Sequence, residues 1–416
     1  MPPSLESLPD ELKIEILTRL PAKSLICLSA VSKPWLSFLS TSEFVSAHLS
    51  NRAAEQSFFT TTTDAESGRF ALIKDGDKVG GGLTVQFGAI IRPDMQFQNR
   101  VSFSLYPLEV TGIEIVGSFD GLLCLTFIHA DSHPSIILWN PSIRTHVVLP
   151  PPIIHTQRKE CDGIGVCVAS NGDYRVVWVH EKHDDNAMSV EIYSLRSGDW
   201  RIRRFDHDLF PTRWLLRGSA FVAGKMHWVG CEYDESWIGS EYEDEVCDIR
   251  DICSITSFHI EEEVFRDVPL PDRLKGFEWQ LRSCVAVVGE SLGMIERCGI
   301  GNWDIWVMQD YGNVESWTRL YNIDIRDYDK RLPLIDALST WKNPGVSSGA
   351  HQWLSYMDHE VFTVYGEYGN DTFEYVAKYV ESLVLLGHKD AVADVHLLQS
   401  IAGCIEEDNA GFGQEI

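Results

Sequence analysis

At 416 residues, with 44% hydrophobic and 23% charged side chains, the chain has the balance of a folded protein and enough length for a small unit plus one large or two medium domains. Its formal charge of -26 repels phosphate backbones, which argues against nucleic-acid binding and favours basic partners. No stretch reaches the roughly eighteen apolar residues of a membrane span, and Met1 to Glu15 lacks the regions of a signal peptide, so a cytoplasmic and/or nuclear location without membrane attachment is expected.

Charge in the first 50 residues is nearly balanced, four Lys/Arg against five Asp/Glu. Pro9 suits a first helical turn, and Leu12, Ile16 and Leu20 follow at i, i+4, i+8 with Leu17 widening the stripe. Asp10 and Glu11 complement the dipole of that helix. Pro21 ends it, Leu25 and Leu28 mark a second helix, and Pro34 opens a third carrying Trp35, Leu36 and Leu39. Helices of about ten residues or fewer do not persist without packing. Three of them here carry more apolar surface than so small a unit can bury, which leaves two readings: a cap tucked against the rest of the chain, or a docking module awaiting a partner.

Leu8-Pro9, Leu12, Ile16-Leu17, Leu20-Pro21, Leu25, Val31 and Trp35 stand in the order and spacing of the F-box, and the segment from Leu8 to Leu49 resembles that family. The resemblance implies docking onto the Skp-type adaptor of a cullin-RING ubiquitin ligase. It assigns adaptor contact to Leu8, Pro9, Leu12, Ile16, Leu17, Leu20, Pro21 and Leu25, with a mixed packing and interface role for Val31 and Trp35. Pro34 departs from the family's usual polar residue, but a proline in the first helical turn is tolerated.

Past residue 55 the texture turns to short β-rich runs punctuated by Gly, Asp and Asn. A module recurs: glycine, apolar strand, polar hairpin, strand ending in an aromatic, then a turn and a hydrophobic residue about seven positions on. The anchors Trp139, Tyr193, Phe258 and Trp306 lie 54, 65 and 48 residues apart. Fainter copies flank them, from Phe58 to Val79 and from His359 to Leu386. The spacing predicts a kelch-like β-propeller of about six blades, with an irregular pair of β-sandwiches as the alternative.

Gly117-Ser-Phe-Asp-Gly121-Leu-Leu-Cys-Leu, Leu138-Trp-Asn-Pro-Ser-Ile-Arg144, Val190-Glu-Ile-Tyr-Ser-Leu-Arg-Ser-Gly-Asp-Trp200 and Tyr379-Val-Glu-Ser-Leu-Val-Leu-Leu386 resemble the F-box-associated domain of plant F-box proteins, the last two most like the S-locus F-box group. Such a domain receives the substrate, and the resemblance names no substrate-contact residues. The expected fold class is α+β multidomain, with an F-box over 4–50, a linker over 51–57, the β-propeller over 58–388, and an acidic, disordered tail over 389–416. Trp139-Asn140-Pro141 reads as a strand end and turn in which Asn bonds its own downstream backbone.

The candidate chemical clusters have plainer readings. His180, His183, Asp184 and Asp185 could hold a metal but occupy the gap between two strands, where a solvated hairpin is expected. Cys161 and Cys167, like Cys247 and Cys253, are too widely spaced for a zinc pair, and the ten cysteines are expected to be free and mostly buried. Gly163-Ile-Gly165 lacks the third glycine of a dinucleotide loop. Glu232 to Asp251, with nine Asp/Glu against one Arg, reads as a solvated insertion or a loop that recognises a basic partner.

The sequence therefore predicts a non-catalytic subunit without cofactor or metal. It would bind a Skp-type adaptor, and through it cullin and RING subunits, and recruit a protein substrate, a basic ribonuclease if the S-locus likeness holds. A scaffold that binds adaptor outside a ligase and a kelch-type propeller enzyme are the alternatives.

Overall fold

Among the described residues, four short helices lie between Asp10 and Arg52, and strands make up nearly all regular structure after them. The computed structural model describes residues 8–52, 57–63, 72–73, 84–90, 97–104, 110–129, 134–154, 163–180, 187–206, 214–215, 219–231, 253–274, 284–299, 302–324, 353–354, 364–365 and 372–393. They fall into two units, 1–151 with 374–416, and 152–373.

In the first unit, α1 (Asp10–Leu17), α2 (Ala22–Ser29), α3 (Lys33–Leu39) and α4 (Ser42–Arg52) pack around Leu17, Leu25, Leu39 and Phe44, all buried. Pro9 and Pro21 precede α1 and α2 and provide no side-chain cap, whereas Ser32 accepts the Trp35 N–H at the start of α3. The fourth helix is an addition to the three expected. Its inward residues are Phe44, His48 and Arg52, so only one apolar side chain marks the inner face and periodicity alone passes over it.

Strands β1 (Ser57–Thr63), β2 (Leu72–Ile73), β3 (Thr84–Ile90) and β4 (Phe97–Ser104) precede a regular antiparallel meander of β5 (Val110–Phe119), β6 (Leu122–His129), β7 (Ser135–Asn140) and β8 (Thr145–Val148). In the second unit come β9 (Gly163–Val168), β10 (Tyr174–His180), β11 (Ala187–Ser194) and β12 (Asp199–Asp206), then β13 (Trp214–Leu215), β14 (Ala220–Val222), β15 (Lys225–Cys231), β16 (Cys253–His259) and β17 (Val264–Val268). A further sheet follows from β18 (Cys284–Val288), β19 (Ser291–Gly299), β20 (Asn302–Met308) and β21 (Trp317–Asp324). The last strands are β22 (Trp353–Leu354), β23 (Val364–Tyr365), β24 (Thr372–Tyr379) and β25 (Val392–Ala393).

The anchors Trp139, Tyr193, Phe258 and Trp306 fall on β7, β11, β16 and β20, the penultimate strand of each meander, and all four are buried. The recurring seven-residue step has a geometric cause. Trp139 pairs with His146, Tyr193 with Trp200 and Phe258 with Phe265 across hairpins that each close with four residues. The last of those four, Arg144, Gly198 or Glu263, has φ of 51, 82 or 54°. The same left-handed residue ends each hairpin, so the register repeats.

Blade number departs from the expectation. Among the described residues four sheets are blade-like meanders rather than about six, because the two outer copies are not separate blades. Strands β1 to β4 and β22 to β24 join one seven-stranded sheet in the order β2-β3-β1-β24-β23-β22, with β4 on β3. Val392 and Ala393 pair with His146 and Thr145, making β25 a fifth strand beside β8.

Cores in the second unit lie between sheets. Trp228 on β15 donates its indole N–H to the Ile164 carbonyl on β9, and Trp317 donates to the Pro269 carbonyl after β17. These two indole bodies are thus buried with their polar tips satisfied.

Candidate functional site: an apolar helical face

Leu12, Ile16 and Leu20 lie along one face of α1 and the turn after it, and are 45%, 46% and 37% exposed. Pro9 and Pro21 are exposed at either end of the stripe, and Leu8 is half-buried. Val31, beyond α2, is 73% exposed, and Leu36 on α3 is 36% exposed. Among the described residues, five of the seven large exposed hydrophobic side chains therefore belong to the helical unit, with Ile153 and Val287 the two elsewhere. Scattered surface leucines need no explanation, but a stripe at helical spacing on a short helix does.

Three of the ten residues assigned to adaptor contact are placed otherwise. Leu17 and Leu25 are interior, and Trp35 is buried with its ring edge-on to Phe38 at 6.1 Å. All three pack the helices together and are buried as placed. The reason lies in helix geometry. Leu17 sits one position past Ile16, on the inward side of α1, so a run of apolar residues spans both faces.

What keeps the outer stripe in place is polar. The turn after α1 has carbonyls outside any helical ladder, and α4 satisfies them: the His48 Nε2–H donates to the Leu20 carbonyl at 3.1 Å and Arg52 donates to the Arg19 carbonyl at 3.0 Å. Asn51 donates to the Thr18 hydroxyl at 2.7 Å, which itself donates to the Ile14 carbonyl. On the solvent side Lys13 pairs with Asp10 and Arg19 with Glu15, each at 2.9 Å. Those pairs contribute little to stability but border the apolar stripe with charge.

The start of α2 is capped from far away. Glu381 Oε1 accepts the Ala22 N–H at 2.9 Å, and Oε2 lies 3.6 Å from Arg52 Nε. The segment carrying Glu381 is bound to the first meander by Asn140, whose Nδ2 reaches the Ser382 carbonyl and hydroxyl and the Val384 carbonyl at 2.7–3.2 Å. Asn140 Oδ1 also accepts the Ser142 N–H at 3.0 Å, the local bond the sequence predicts. Its long-range half carries no sequence signal beyond the asparagine itself.

Other candidates resolve into packing. His180 is buried, stacked on Trp178 with ring centroids 4.7 Å apart and 3.6 Å from Glu191, while His183, Asp184 and Asp185 lie outside the described residues. Cys124 and Cys167 are buried and Cys27 is exposed; burial pushes the Cys167 thiol far up from its ordinary value. Cys161, Cys247 and the acidic stretch Glu232 to Asp251 lie outside the described residues. Gly163 and Gly165 are on β9, not at a strand-to-helix turn.

Comparison with known proteins agrees with this division. The F-box domain family matches residues 5–46, and the family described as the F-box associated beta propeller domain matches residues 84–385. An F-box/kelch-repeat protein of Arabidopsis thaliana is 25% identical over 360 residues, covering 80% of this chain and 85% of the relative. The Arabidopsis thaliana F-box protein CPR1 is 22% identical over 360 residues, covering 80% and 77%. With helices at one end, blade-like meanders through the rest, and both parts matched, the chain belongs to the F-box proteins that carry an F-box associated β-propeller domain.

Proposed function

We propose that the chain is the substrate-recognition subunit of an SCF-type ubiquitin ligase, acting in the cytoplasm and/or nucleus. The supporting observation is the exposed row Leu12, Ile16 and Leu20, flanked by Pro9 and Pro21, on a helical unit whose interior is already full. Covering such a row returns roughly 25 cal/mol for each Å² of apolar surface removed from water, a gain available only with a second polypeptide. A Skp-type adaptor would cover it and connect the chain to cullin and RING subunits. The β-propeller domain would hold a target near the ubiquitin-charged conjugating enzyme and raise the effective concentration of its lysines. No group of the chain takes part in bond making in this reading.

The charge of -26 supports a basic target, and a ribonuclease of basic character fits both that charge and the S-locus-like strings around Tyr193 and Leu383. Co-purification of the chain with adaptor and cullin tests the assignment. Wild type should bring down both and the Ile16→Asp, Leu20→Asp double variant neither. Recovery of adaptor without cullin would make the protein a scaffold instead. Affinity for a basic ribonuclease should fall steeply with added salt, and indifference to ionic strength would remove that candidate.

A further inference from the structure

Residues 380–387 touch the first meander on one side and the helices on the other. Toward the meander, Asn140 grips Ser382 and Val384, and Ser142 Oγ accepts the Ser382 N–H at 3.2 Å. A Cβ on Gly121 would come within 2.2 Å of the Val380 carbonyl oxygen, so the β5–β6 turn and the segment meet backbone to backbone. Ser382, Leu383, Val384 and Leu385 are buried. Toward the helices, Glu381 caps α2 and faces Arg52, and a Cβ on Gly387 would lie 3.0 Å from Ser40 Cβ at the end of α3.

We infer that this segment is a clamp that fixes how the apolar face of α1 is presented, with Glu381 as its positioning residue. The inference rests on the ligase reading for its purpose but not for its geometry. One carboxylate reaches three parts of the helical unit: its first oxygen closes the N-terminus of α2, its second faces the Arg52 guanidinium on α4, and that guanidinium holds the Arg19 carbonyl in the turn after α1. Negative charge there also complements the α2 dipole. Because Asn140 anchors the neighbouring residues, the row Leu12, Ile16 and Leu20 is tied to the β5 to β8 sheet through bonds on both faces of the segment. A hinged docking unit would spread a target's lysines over a larger volume, and a clamped one restricts which lysines are reached.

The test uses the full chain, free and in a reconstituted ligase with a Skp-type adaptor. In Glu381→Ala, amide exchange over Ala22 to Leu25 should rise about tenfold, as expected for losing a hydrogen bond to a charged acceptor. Exchange over Leu122 to Phe127 and Ile136 to Asn140 should stay unchanged. Adaptor affinity should hold within about fivefold, the size of an effect away from a hot spot, while self-ubiquitination spreads to more lysines of the chain. Glu381→Gln, which keeps an acceptor for Ala22, should restore most of the protection and the narrower lysine pattern. Unchanged exchange at α2 overturns the inference, as does a rise that extends equally into the sheet. If wild type fails to bind adaptor, the ligase reading falls while the exchange comparison still decides the clamp.

Discussion

Asn140 donates its side-chain amide to the Val384 carbonyl at 2.7 Å, joining the end of β7 to a residue 244 positions further along the chain. Both residues are buried, so no water is at hand to replace the bond. Asn140→Ala should lower unfolding stability by about 3 kcal/mol, since it strips donors from the Ser382 and Val384 carbonyls together. Asn140→Asp should do no better, because a carboxylate cannot donate and would face carbonyl oxygens. Urea denaturation followed by tryptophan fluorescence reads both.

Gly121 and Gly172 separate backbone strain from lack of room. Both have positive φ, 77° and 76°, but a Cβ on Gly121 meets the Val380 carbonyl at 2.2 Å whereas one on Gly172 meets nothing within 4 Å. Gly172→Ala should cost about 1 kcal/mol, the left-handed penalty alone. Gly121→Ala should cost roughly 3 kcal/mol or more, because one of two backbones must move. Equal melting temperatures would contradict the close approach.

Most of the architecture was legible in the residues. One hairpin passed unread inside the string from Gly117: Asp120 and Gly121, with φ of 50° and 77°, form the tight turn between β5 and β6. Trp139, Tyr193, Phe258 and Trp306 could be read because a repeated hairpin of fixed length imposes its period on the residues flanking it. The blade count could not, since nothing local tells Phe58 and Thr372 that their strands share a sheet. At the helical face, periodicity located the outer stripe correctly but could not separate Ile16 from Leu17, which are equally apolar and adjacent. Glu381 was beyond reach for another reason: an acceptor that caps a helix from a distant strand end looks like any surface carboxylate.

The two kinds of apolar residue on the helical unit should behave oppositely. Ile16→Asp with Leu20→Asp alters side chains that are 46% and 37% exposed, so the melting temperature should barely move while adaptor capture is lost. Leu25→Ala, at a position with no exposure, should cost about 2–5 kcal/mol through cavity formation. Its effect on adaptor binding should follow only from unfolding. Calorimetry paired with a pull-down distinguishes the two.

His227 should make stability depend on pH. It is buried, its Nδ1–H donates to the Ala220 carbonyl at 3.1 Å, and Nε2 accepts the Tyr311 hydroxyl at 2.7 Å, with Lys225 nearby over the tyrosine ring. Burial lowers its pKa from 6.5 to about 4. Between those values the unfolded chain binds a proton the folded chain refuses, so stability falls as pH drops from 6.5 to about 4 and then levels off for this group. The whole step is on the order of 3 kcal/mol. Glu261, lowered by the Ser170 N–H it accepts, adds a further loss as pH falls through the carboxylate range. His227→Gln should flatten the upper part of the curve in denaturation midpoints measured from pH 7 to pH 4 and leave the lower part.

The bond between Glu381 and Ala22 also orders events in time. A ribosome releases the α2 segment early but delivers its capping carboxylate only after 359 more residues have been joined, a delay on the order of tens of seconds. Until then the nascent amino-terminal region lacks its last fastening, and a prematurely terminated product would carry the greasy row without the support that orients it. Synthesis of the distant segment is thus built into the assembly of the docking surface, although the helices are made before it.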